Sequence, residues 1–301
     1  MKKNQKFQAP RGSLLFQGGS TGVLLIHSLG GSPLELKFVA HSLARQGYTV
    51  YCPVVPGLTF GTDVSGMSTW HDWYQAVESA FEELKQHCEH IVVGGASAGA
   101  TLSLRLAALR PSEVAATLLY APTLAVNGWA IPRAIKLFHL ISDKWTARLF
   151  SFRTPAPFGI KDERVRNFAL ESMKGEGATP ADITVRDGGT VYEFFRLVRN
   201  VRPLLGRVAQ HTLIFHPRMD DQSDMKNTMT LQRKLSGLVE VCVLDDSYHL
   251  VTLDRQRNYV AERSIEFVER VVNAVTNKKA AEKPAAAAEK PLQKPLKGAA
   301  E

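Results

Sequence analysis

Short apolar segments alternate with longer amphipathic segments along most of this 301-residue chain. The short segments have the length of buried β-strands, and the longer ones repeat apolar side chains every three or four residues, as helices with one buried face do. The pattern predicts strands at residues 22–27, 48–52, 91–93, 114–120, 212–215 and 239–244. It predicts helices at residues 33–46, 69–87, 98–109 and 255–275. Strands and helices in this alternation indicate an α/β fold with a mostly parallel central sheet.

The alternation is interrupted between Pro122 and about Gly206. This stretch is predicted to be mostly helical, and from Ile131 to Leu149 apolar residues recur in steps of three or four, which predicts one helical stripe. Because the stretch is too long for a single crossover helix, we expect a helical cap rather than an ordinary packing helix of the core. The predicted units are a first core part, a cap and a second core part, at residues 12–124, 125–206 and 207–277.

The formal net charge of +8 lies mainly at the two ends of the chain. Residues 1–11 carry +4 and residues 278–301 carry +3, which leaves +1 for the body between them. A nearly neutral body does not predict nucleic-acid binding. Residues 278–301 are rich in lysine, alanine and proline, and such a segment cannot bury enough apolar surface to fold. We expect a disordered solubilising tail, with weak attachment to anionic membrane surfaces as the alternative.

Cysteine usage and hydropathy predict a cytoplasmic protein. Cys52, Cys88 and Cys242 are widely spaced, which excludes a disulfide framework and fits a reducing compartment. No apolar run is long enough to span a membrane, and the apolar stretches that follow the basic start are too short for a signal peptide. His87 and His90 lack clear further ligands, so we expect no metal site. The nucleotide-binding glycine and lysine motifs are also missing, which predicts no nucleotide cofactor.

A glycine-rich turn joins the strand at 91–93 to the helix that follows it. The turn holds Gly95, Ser97 and Gly99 in a Gly-x-Ser-x-Gly pattern. A sharp strand-to-helix turn strains the backbone of its central residue and holds that side chain above the sheet edge, and small residues on either side let the two backbones converge. The helix N-terminus also favours negative charge that develops there. Ser97 is therefore the candidate nucleophile.

The candidate nucleophile needs a base within hydrogen-bond reach, because a serine hydroxyl is weakly nucleophilic at neutral pH. In this architecture the acid and the histidine follow the serine, each on a loop after a later strand. His249 is the one histidine among nine that lies between the last predicted strand and the last predicted helix. Asp220 and Asp221 follow the strand at 212–215. We expect Asp220 to be the acid, with Asp221 and then Asp224 as alternatives.

Backbone amides on two loops are the candidate donors of an oxyanion hole. Such a hole needs N–H groups aimed at the position where the negatively charged oxygen of a tetrahedral intermediate develops. The amide of Ala98 directly follows the candidate nucleophile. The amide of Leu29 lies in the glycine-containing loop after the strand at 22–27. Position therefore predicts Leu29 and Ala98 as the two donors.

Together these motifs resemble the α/β-hydrolase superfamily, and within it the branch of bacterial carboxylesterases and monoacylglycerol lipases. The resemblance covers about residues 14–124 and 207–275 and is weak in the predicted cap. It is carried by residues 27–31, 47–57, 70–73, 95–99, 218–220 and 247–249. The chain departs from the usual His-Gly pair of the oxyanion loop, because it has His27 followed by Ser28.

The resemblance implies an α/β-hydrolase fold and a serine hydrolase that cleaves carboxylic esters through an acyl-serine intermediate, without metal or organic cofactor. Short- to medium-chain acyl esters or monoacylglycerols are the implied small-molecule or lipid substrates. A lysophospholipase, a thioesterase or an acyltransferase with the same three residues remains open. A non-catalytic ligand-binding protein of the same fold is the alternative from another class.

Overall fold

A computed structural model of the chain describes residues 7–62, 67–132, 135, 138, 140–173 and 185–282. The predicted disordered tail lies outside the described residues from position 283 onward. Its first residues, 278–282, continue the last helix, which the apolar pattern had ended at residue 275.

Seven strands form the central sheet, in the order β1-β3-β2-β4-β5-β8-β9. Among the described pairs of this central sheet, only the edge strand β1 runs antiparallel to its neighbour. The mostly parallel sheet predicted from the sequence is thus confirmed. The strands, including the β6 and β7 pair outside this sheet, are β1 (Leu14–Phe16), β2 (Thr21–Ile26), β3 (Thr49–Cys52), β4 (His90–Ala96), β5 (Val114–Tyr120), β6 (Ser151–Arg153), β7 (Val185–Asp187), β8 (His211–Pro217) and β9 (Val239–Leu244).

Helices cover both faces of the sheet. They are α1 (Lys37–Ala44), α2 (Trp70–His87), α3 (Ala98–Leu109), α4 (Lys144–Ala147), α5 (Glu163–Met173), α6 (Gly188–Val201), α7 (Lys226–Lys234) and α8 (Arg257–Glu282). Strands β2 and β4 are buried along their whole length because helices lie on both sides of them, which explains their continuous apolar runs. The core therefore has two layers, one on each face of the sheet.

The two core layers contain different helices. On one face α2, α3 and α6 contribute side chains such as Phe81, Leu102 and Leu197. On the other face α1 and α8 contribute side chains such as Leu43 and Phe267. Helix α6 lies inside the predicted cap segment, yet it packs into the main core through Phe194 and Leu197.

The insertion, residues 125–206, differs from the predicted helical stripe in its described part. Ile135 and Phe138 are buried, but Trp145 and Leu149 are 71% and 83% exposed, so the stripe does not continue to Leu149. Helix α4 is a single turn, and β6 pairs with β7 in a two-stranded antiparallel sheet that the sequence pattern did not predict. Each of these strands has only three residues, too few for a visible alternation. The cap boundaries remain a prediction.

Within the described residues, no helix combines the length and the apolar character that crossing a membrane requires. The three cysteines form no disulfide, and Cys52 and Cys88 are buried thiols.

Candidate active site

The candidate residues meet at one edge of the central sheet, where its parallel strands end. Ser97 follows β4, Asp220 lies three residues after β8, and His249 follows β9. Leu29 lies on the loop after β2. Because the carboxyl ends of parallel strands meet at a common edge, residues up to 220 positions apart in sequence come together here.

The turn at Ser97 has the strained geometry that its sequence predicts. Ser97 has a φ of +52° and a ψ of −112°, in the left-handed half of backbone space that L-residues other than glycine rarely occupy. A Cβ on Gly95 would lie 2.4 Å from the carbonyl oxygen of Ile26, and one on Gly99 would lie 2.1 Å from the same atom. The two glycines are therefore required because β2 passes close to both sides of the turn.

Asp220 and His249 are in direct contact. The Nδ1 atom of His249 lies 3.0 Å and 2.9 Å from the two carboxylate oxygens of Asp220. Since an ionised carboxylate can only accept, Nδ1 carries the proton and donates it, which leaves Nε2 as the basic nitrogen. The backbone amides of Gln222 and Ser223 each donate to Asp220 Oδ1 at 2.8 Å and fix the carboxylate on its loop.

The charge of Asp220 raises the pKa of the His249 imidazole. Burial alone would lower the pKa of His249, but the adjacent negative charge and the hydrogen bond of Asp220 outweigh it and raise that pKa above its ordinary value. Burial likewise opposes ionisation of Asp220, yet the charge and hydrogen bond of His249 hold the pKa of this carboxyl below its ordinary value. The pair is thus arranged to stabilise an imidazolium next to a carboxylate.

The Ser97 hydroxyl is hydrogen-bonded to Thr123 rather than to the imidazole. The two hydroxyl oxygens are 3.1 Å apart. The Nε2 atom of His249 is buried and has no hydrogen-bond partner among the described residues. Both side chains line the same cavity. The structure therefore assembles the acid–histidine half of the candidate triad, and the serine must turn away from Thr123 to complete it.

The other aspartates considered from the sequence have different partners. Asp221 accepts the backbone amide of Gly159 at 2.8 Å and that of His249 at 3.3 Å, so it ties the insertion to the histidine loop. Burial raises the pKa of Asp221. Asp224 accepts the backbone amide of Lys226. Neither carboxylate contacts the imidazole of His249 in the described part of the chain.

The two predicted oxyanion donors lie beside the same cavity. Leu29 and Ala98 both line it, next to Ser97. Neither backbone N–H group donates a hydrogen bond to an acceptor within the described ranges. Ala98 opens helix α3, where the first amides have no partner inside the helix. Both amides can therefore donate to an oxygen of a bound ester.

The oxyanion loop is held by a buried network around Ser28. The carboxylate of Glu35 accepts from the backbone amide of Ser28, and its second oxygen accepts from the Ser28 hydroxyl at 2.8 Å. His27 Nδ1 donates to the Ser28 carbonyl at 2.8 Å, and Thr59 donates its hydroxyl to His27 Nε2 at 2.7 Å. Burial lowers the pKa of His27 to about 4, so this imidazole is neutral at physiological pH. The network fixes the residue that precedes the Leu29 amide.

Glu35 is a buried acid near His249 and Arg186. Burial raises the pKa of Glu35 to about 7, although the two hydrogen bonds from Ser28 lower it in part. Arg186 contributes a nearby positive charge to this group, and its guanidinium donates to the carbonyl of Gly30 at 3.3 Å. The loop 28–30 is therefore held by a glutamate and an arginine from two separate elements.

A cavity of about 1080 Å³ opens at the candidate nucleophile. Its walls are mostly apolar, and they come from the insertion as well as from the core. Side chains such as Val126, Ile135, Phe152, Phe194 and Leu250 form these walls. An apolar cavity of this size suits a substrate with an acyl chain.

Comparisons with known proteins agree with this architecture. A sequence model of the alpha/beta hydrolase family matches residues 23–262. The chain belongs to the alpha/beta hydrolase family. It is 30% identical over 261 residues to the thermostable monoacylglycerol lipase of Bacillus sp. (strain H-257), an alignment that covers 83% of this chain and 91% of that relative.

Two further relatives extend the comparison for this alpha/beta hydrolase. The carboxylesterase of Bacillus subtilis (strain 168) is 22% identical over 270 residues, which cover 85% of this chain and 95% of the relative. The crystal structure of Paleococcus ferrophilus monoacylglycerol lipase superposes with a TM-score of 0.70 at 17% identity and covers 86% of this chain and 98% of that chain. The fold class predicted from the sequence is confirmed.

Sequence reasoning did not single out several side chains that the structure brings to the site. Thr123 follows β5 at the same sheet edge and contacts the candidate nucleophile. Glu35 and Arg186 hold the oxyanion loop from either side. A hydroxyl just after a predicted strand was a usable signal for Thr123. Arg186 had none, because it lies on the unpredicted strand β7.

Proposed function

We propose that this protein hydrolyses carboxylic esters with Ser97 as nucleophile, His249 as general base and Asp220 as the acid that orients the imidazole. The direct Asp220–His249 contact, at the sheet edge where the strained Ser97 turn also lies, carries this proposal. The names of the relatives, a monoacylglycerol lipase and a carboxylesterase, support the same reaction class.

In the proposed reaction the Ser97 hydroxyl leaves Thr123, turns to His249 Nε2 and attacks the ester carbonyl carbon. His249 takes the serine proton and then gives it to the departing alcohol, and the amides of Leu29 and Ala98 bind the oxyanion. Asp220 stabilises the imidazolium formed in between. A water molecule, deprotonated by the same imidazole, then releases the acid from the acyl-serine and restores the free hydroxyl.

The proposed substrates are short- to medium-chain acyl esters or monoacylglycerols. The mostly apolar walls of the cavity support an acyl chain, because each methylene group removed from water contributes about 0.8 kcal/mol of binding free energy. A cytoplasmic location is part of the proposal and is supported by three cysteines that form no disulfide.

Substitution of the candidate nucleophile tests the proposal. We expect Ser97→Ala to abolish hydrolysis of p-nitrophenyl butyrate and reaction with a fluorophosphonate probe, because both need a serine oxygen. Thermal unfolding should change little, since alanine occupies the same small space. Residual turnover at the parent rate would overturn the assignment, and a parent protein that neither turns over nor labels would identify a binding protein instead.

Substitution of the two adjacent aspartates separates their roles. We expect Asp220→Asn to lower kcat by about 10³- to 10⁴-fold, because the neutral amide no longer fixes the imidazole with Nδ1 protonated. Asp221→Asn is the matched control, since its carboxylate binds backbone amides and not the ring. A larger loss of kcat in Asp221→Asn than in Asp220→Asn would contradict the choice of Asp220.

A further inference from the structure

Basic side chains are concentrated along the wall of the candidate active-site cavity. Six line it in the described part of the chain, namely Lys37, Arg153, Arg164, Arg166, Arg186 and Arg257. Glu35 is the one carboxyl-bearing residue of that described wall. The described part of the cavity wall therefore carries +5 with Glu35 ionised, whereas residues 12–277 as a whole carry only +1. The positive charge is a local feature of the cavity and does not reflect a basic surface.

Three of these cations are both exposed and without a salt bridge to any described residue. Lys37, Arg153 and Arg164 form no salt bridge with any residue that the structure describes, and all three are exposed. They come from α1, β6 and α5, so three separate elements direct positive charge toward one opening. Exposed cations at a cavity mouth keep their charge available to a bound ligand.

The acids near these three cations have other partners: Glu163 pairs with Arg166 at 3.8 Å, and Asp162 and Asp254 accept backbone amides. Hydrogen bonds from backbone amides, that of Val165 first, lower the pKa of the Asp162 carboxyl. The positive charge of nearby Arg164 also lowers it, by a smaller amount. Asp254 accepts backbone amides on both carboxylate oxygens, including those of Lys161 and Asp162. Neither Asp162 nor Asp254 lines the cavity, so neither presents negative charge to its interior.

Arg186 places positive charge next to the proposed oxyanion loop. Its guanidinium donates to the Gly30 carbonyl, one residue beyond the proposed Leu29 donor. The described lining thus combines apolar side chains with positively charged ones. Apolar walls of low dielectric concentrate the field of such charges inside a cleft and raise the local concentration of an oppositely charged substrate.

We infer that the preferred substrate is a single-chain acyl ester whose alcohol part carries an anionic group, a phosphate or a carboxylate. The acyl chain lies on the apolar walls, and the anionic alcohol stays near the exposed cations at the mouth. This inference rests on the proposed ester hydrolysis, because it names the leaving group of that same reaction. Arg166 already pairs with Glu163, but a neutral glycerol leaving group would leave the exposed Lys37, Arg153 and Arg164 without a counterion among the described residues.

Three esters with the same lauroyl chain test the inference, each assayed below its micelle concentration. They are 1-lauroyl-glycerol-3-phosphate, the lauroyl ester of glyceric acid, and neutral 1-lauroyl-glycerol. We expect kcat/KM for at least one anionic ester to exceed that of the neutral ester by about tenfold or more at low ionic strength. Whichever anionic ester has the higher kcat/KM relative to the neutral ester identifies the preferred group as phosphate or carboxylate, and both groups are accepted if both esters exceed it.

Salt and two charge variants localise the effect. The preference should shrink in about 0.5 M NaCl, because salt screens exposed charges. The double variant Arg153→Gln/Arg164→Gln should lower the anionic-to-neutral ratio of kcat/KM by about fivefold. The matched control Arg233→Gln/Lys234→Gln removes the same charge from exposed positions on α7 away from the cavity, and it should leave that ratio within about twofold.

The outcomes separate the inference from the proposed function. Equal or faster hydrolysis of the neutral ester at low salt overturns the anionic substrate and leaves ester hydrolysis standing. An equal loss of preference in the control variant overturns the role of the cavity cations. If the protein hydrolyses none of the three esters and does not hydrolyse p-nitrophenyl butyrate either, the proposed function is overturned, and the inference fails with it.

Discussion

Glu35 shows how a single buried side chain can set the properties of a functional loop. Its carboxylate accepts hydrogen bonds from both the amide and the hydroxyl of Ser28. Ser28 stands where the family that this chain resembles usually has glycine. The hydroxyl group of Ser28 therefore has a hydrogen-bond acceptor in the Glu35 carboxylate. The arrangement anchors the proposed oxyanion loop despite this departure in sequence, because the Ser28 backbone is fixed directly before the Leu29 amide.

The ionisation of Glu35 predicts a pH-dependent stability. Burial raises its pKa to about 7, whereas the unfolded chain has the ordinary value of 4.5. The folded protein thus binds this proton more tightly, so the stabilisation is fully present below pH 4.5 and is lost as the pH rises through 7. Glu35→Gln cannot ionise. We expect its unfolding free energy relative to the parent to rise between pH 5 and pH 8 by on the order of 2 kcal/mol.

Urea unfolding of parent and variant at the two pH values measures this difference. Glu269→Gln on the exposed side of α8 is the control, because its carboxyl is not buried. The same pH trend in Glu269→Gln, or no trend in Glu35→Gln, would contradict the prediction.

Helix α2 shows how an element is fixed at one end by local chemistry and along its length by packing. The Thr69 hydroxyl accepts the Asp72 amide, and the Asp72 carboxylate accepts the Thr69 amide at 2.8 Å, which together form a capping box. The hydrogen bonds that the Thr69 amide and hydroxyl donate to the Asp72 carboxylate lower the pKa of Asp72. Along the helix, Trp73 and Phe81 enter the core layer that also contains α3 and α6.

The cap of α2 predicts a stability effect that is separate from catalysis. We expect Thr69→Ala to lower the unfolding free energy by about 1 kcal/mol, because the Asp72 amide loses its acceptor. Thr69→Ser keeps the oxygen and should stay within about 0.5 kcal/mol of the parent. Denaturant unfolding measures both. Equal losses in the two variants would show that packing of the threonine methyl group, and not the cap, stabilises this end.

At the scale of the whole molecule, the core and the excess charge occupy different parts of the chain. The two core layers draw on residues from Phe7 to Val275. Residues 283–301 carry four lysines and two glutamates. A segment of this composition buries little apolar surface, so we expect the tail to contribute little to folding.

Truncation before residue 283 tests this separation. We expect the shortened chain to keep its unfolding free energy within about 0.5 kcal/mol, because a segment rich in lysine, alanine and proline buries little apolar surface. Phe267→Ala is the contrasting variant, and we expect it to cost about 3–5 kcal/mol, since this ring is fully buried under the sheet. Calorimetric or urea unfolding distinguishes the two. A truncation as damaging as Phe267→Ala would place the tail in the folded unit.

Much of the fold could be predicted from sequence because its elements are marked by local patterns. The helix at Ala98–Leu109 and the strands at Val114–Tyr120 and Val239–Leu244 have the predicted bounds. The hydrophobic periodicity did not predict the strands of the insertion, where β6 pairs with β7 across more than thirty residues. A strand of three residues is stabilised by its partner and not by its own composition, so no local window could reveal it.

By itself, the sequence determined six of the seven described strands of the central sheet and the turn that exposes Ser97, because each is marked by a pattern of neighbouring residues. It also placed Asp220 and His249 on loops at the common edge. Only the tertiary structure decided that Asp220 contacts the imidazole, that Thr123 binds the serine, and that Glu35 and Arg186 hold the oxyanion loop. These contacts join residues far apart in the chain, and their distances depend on how helices and strands pack around one cavity.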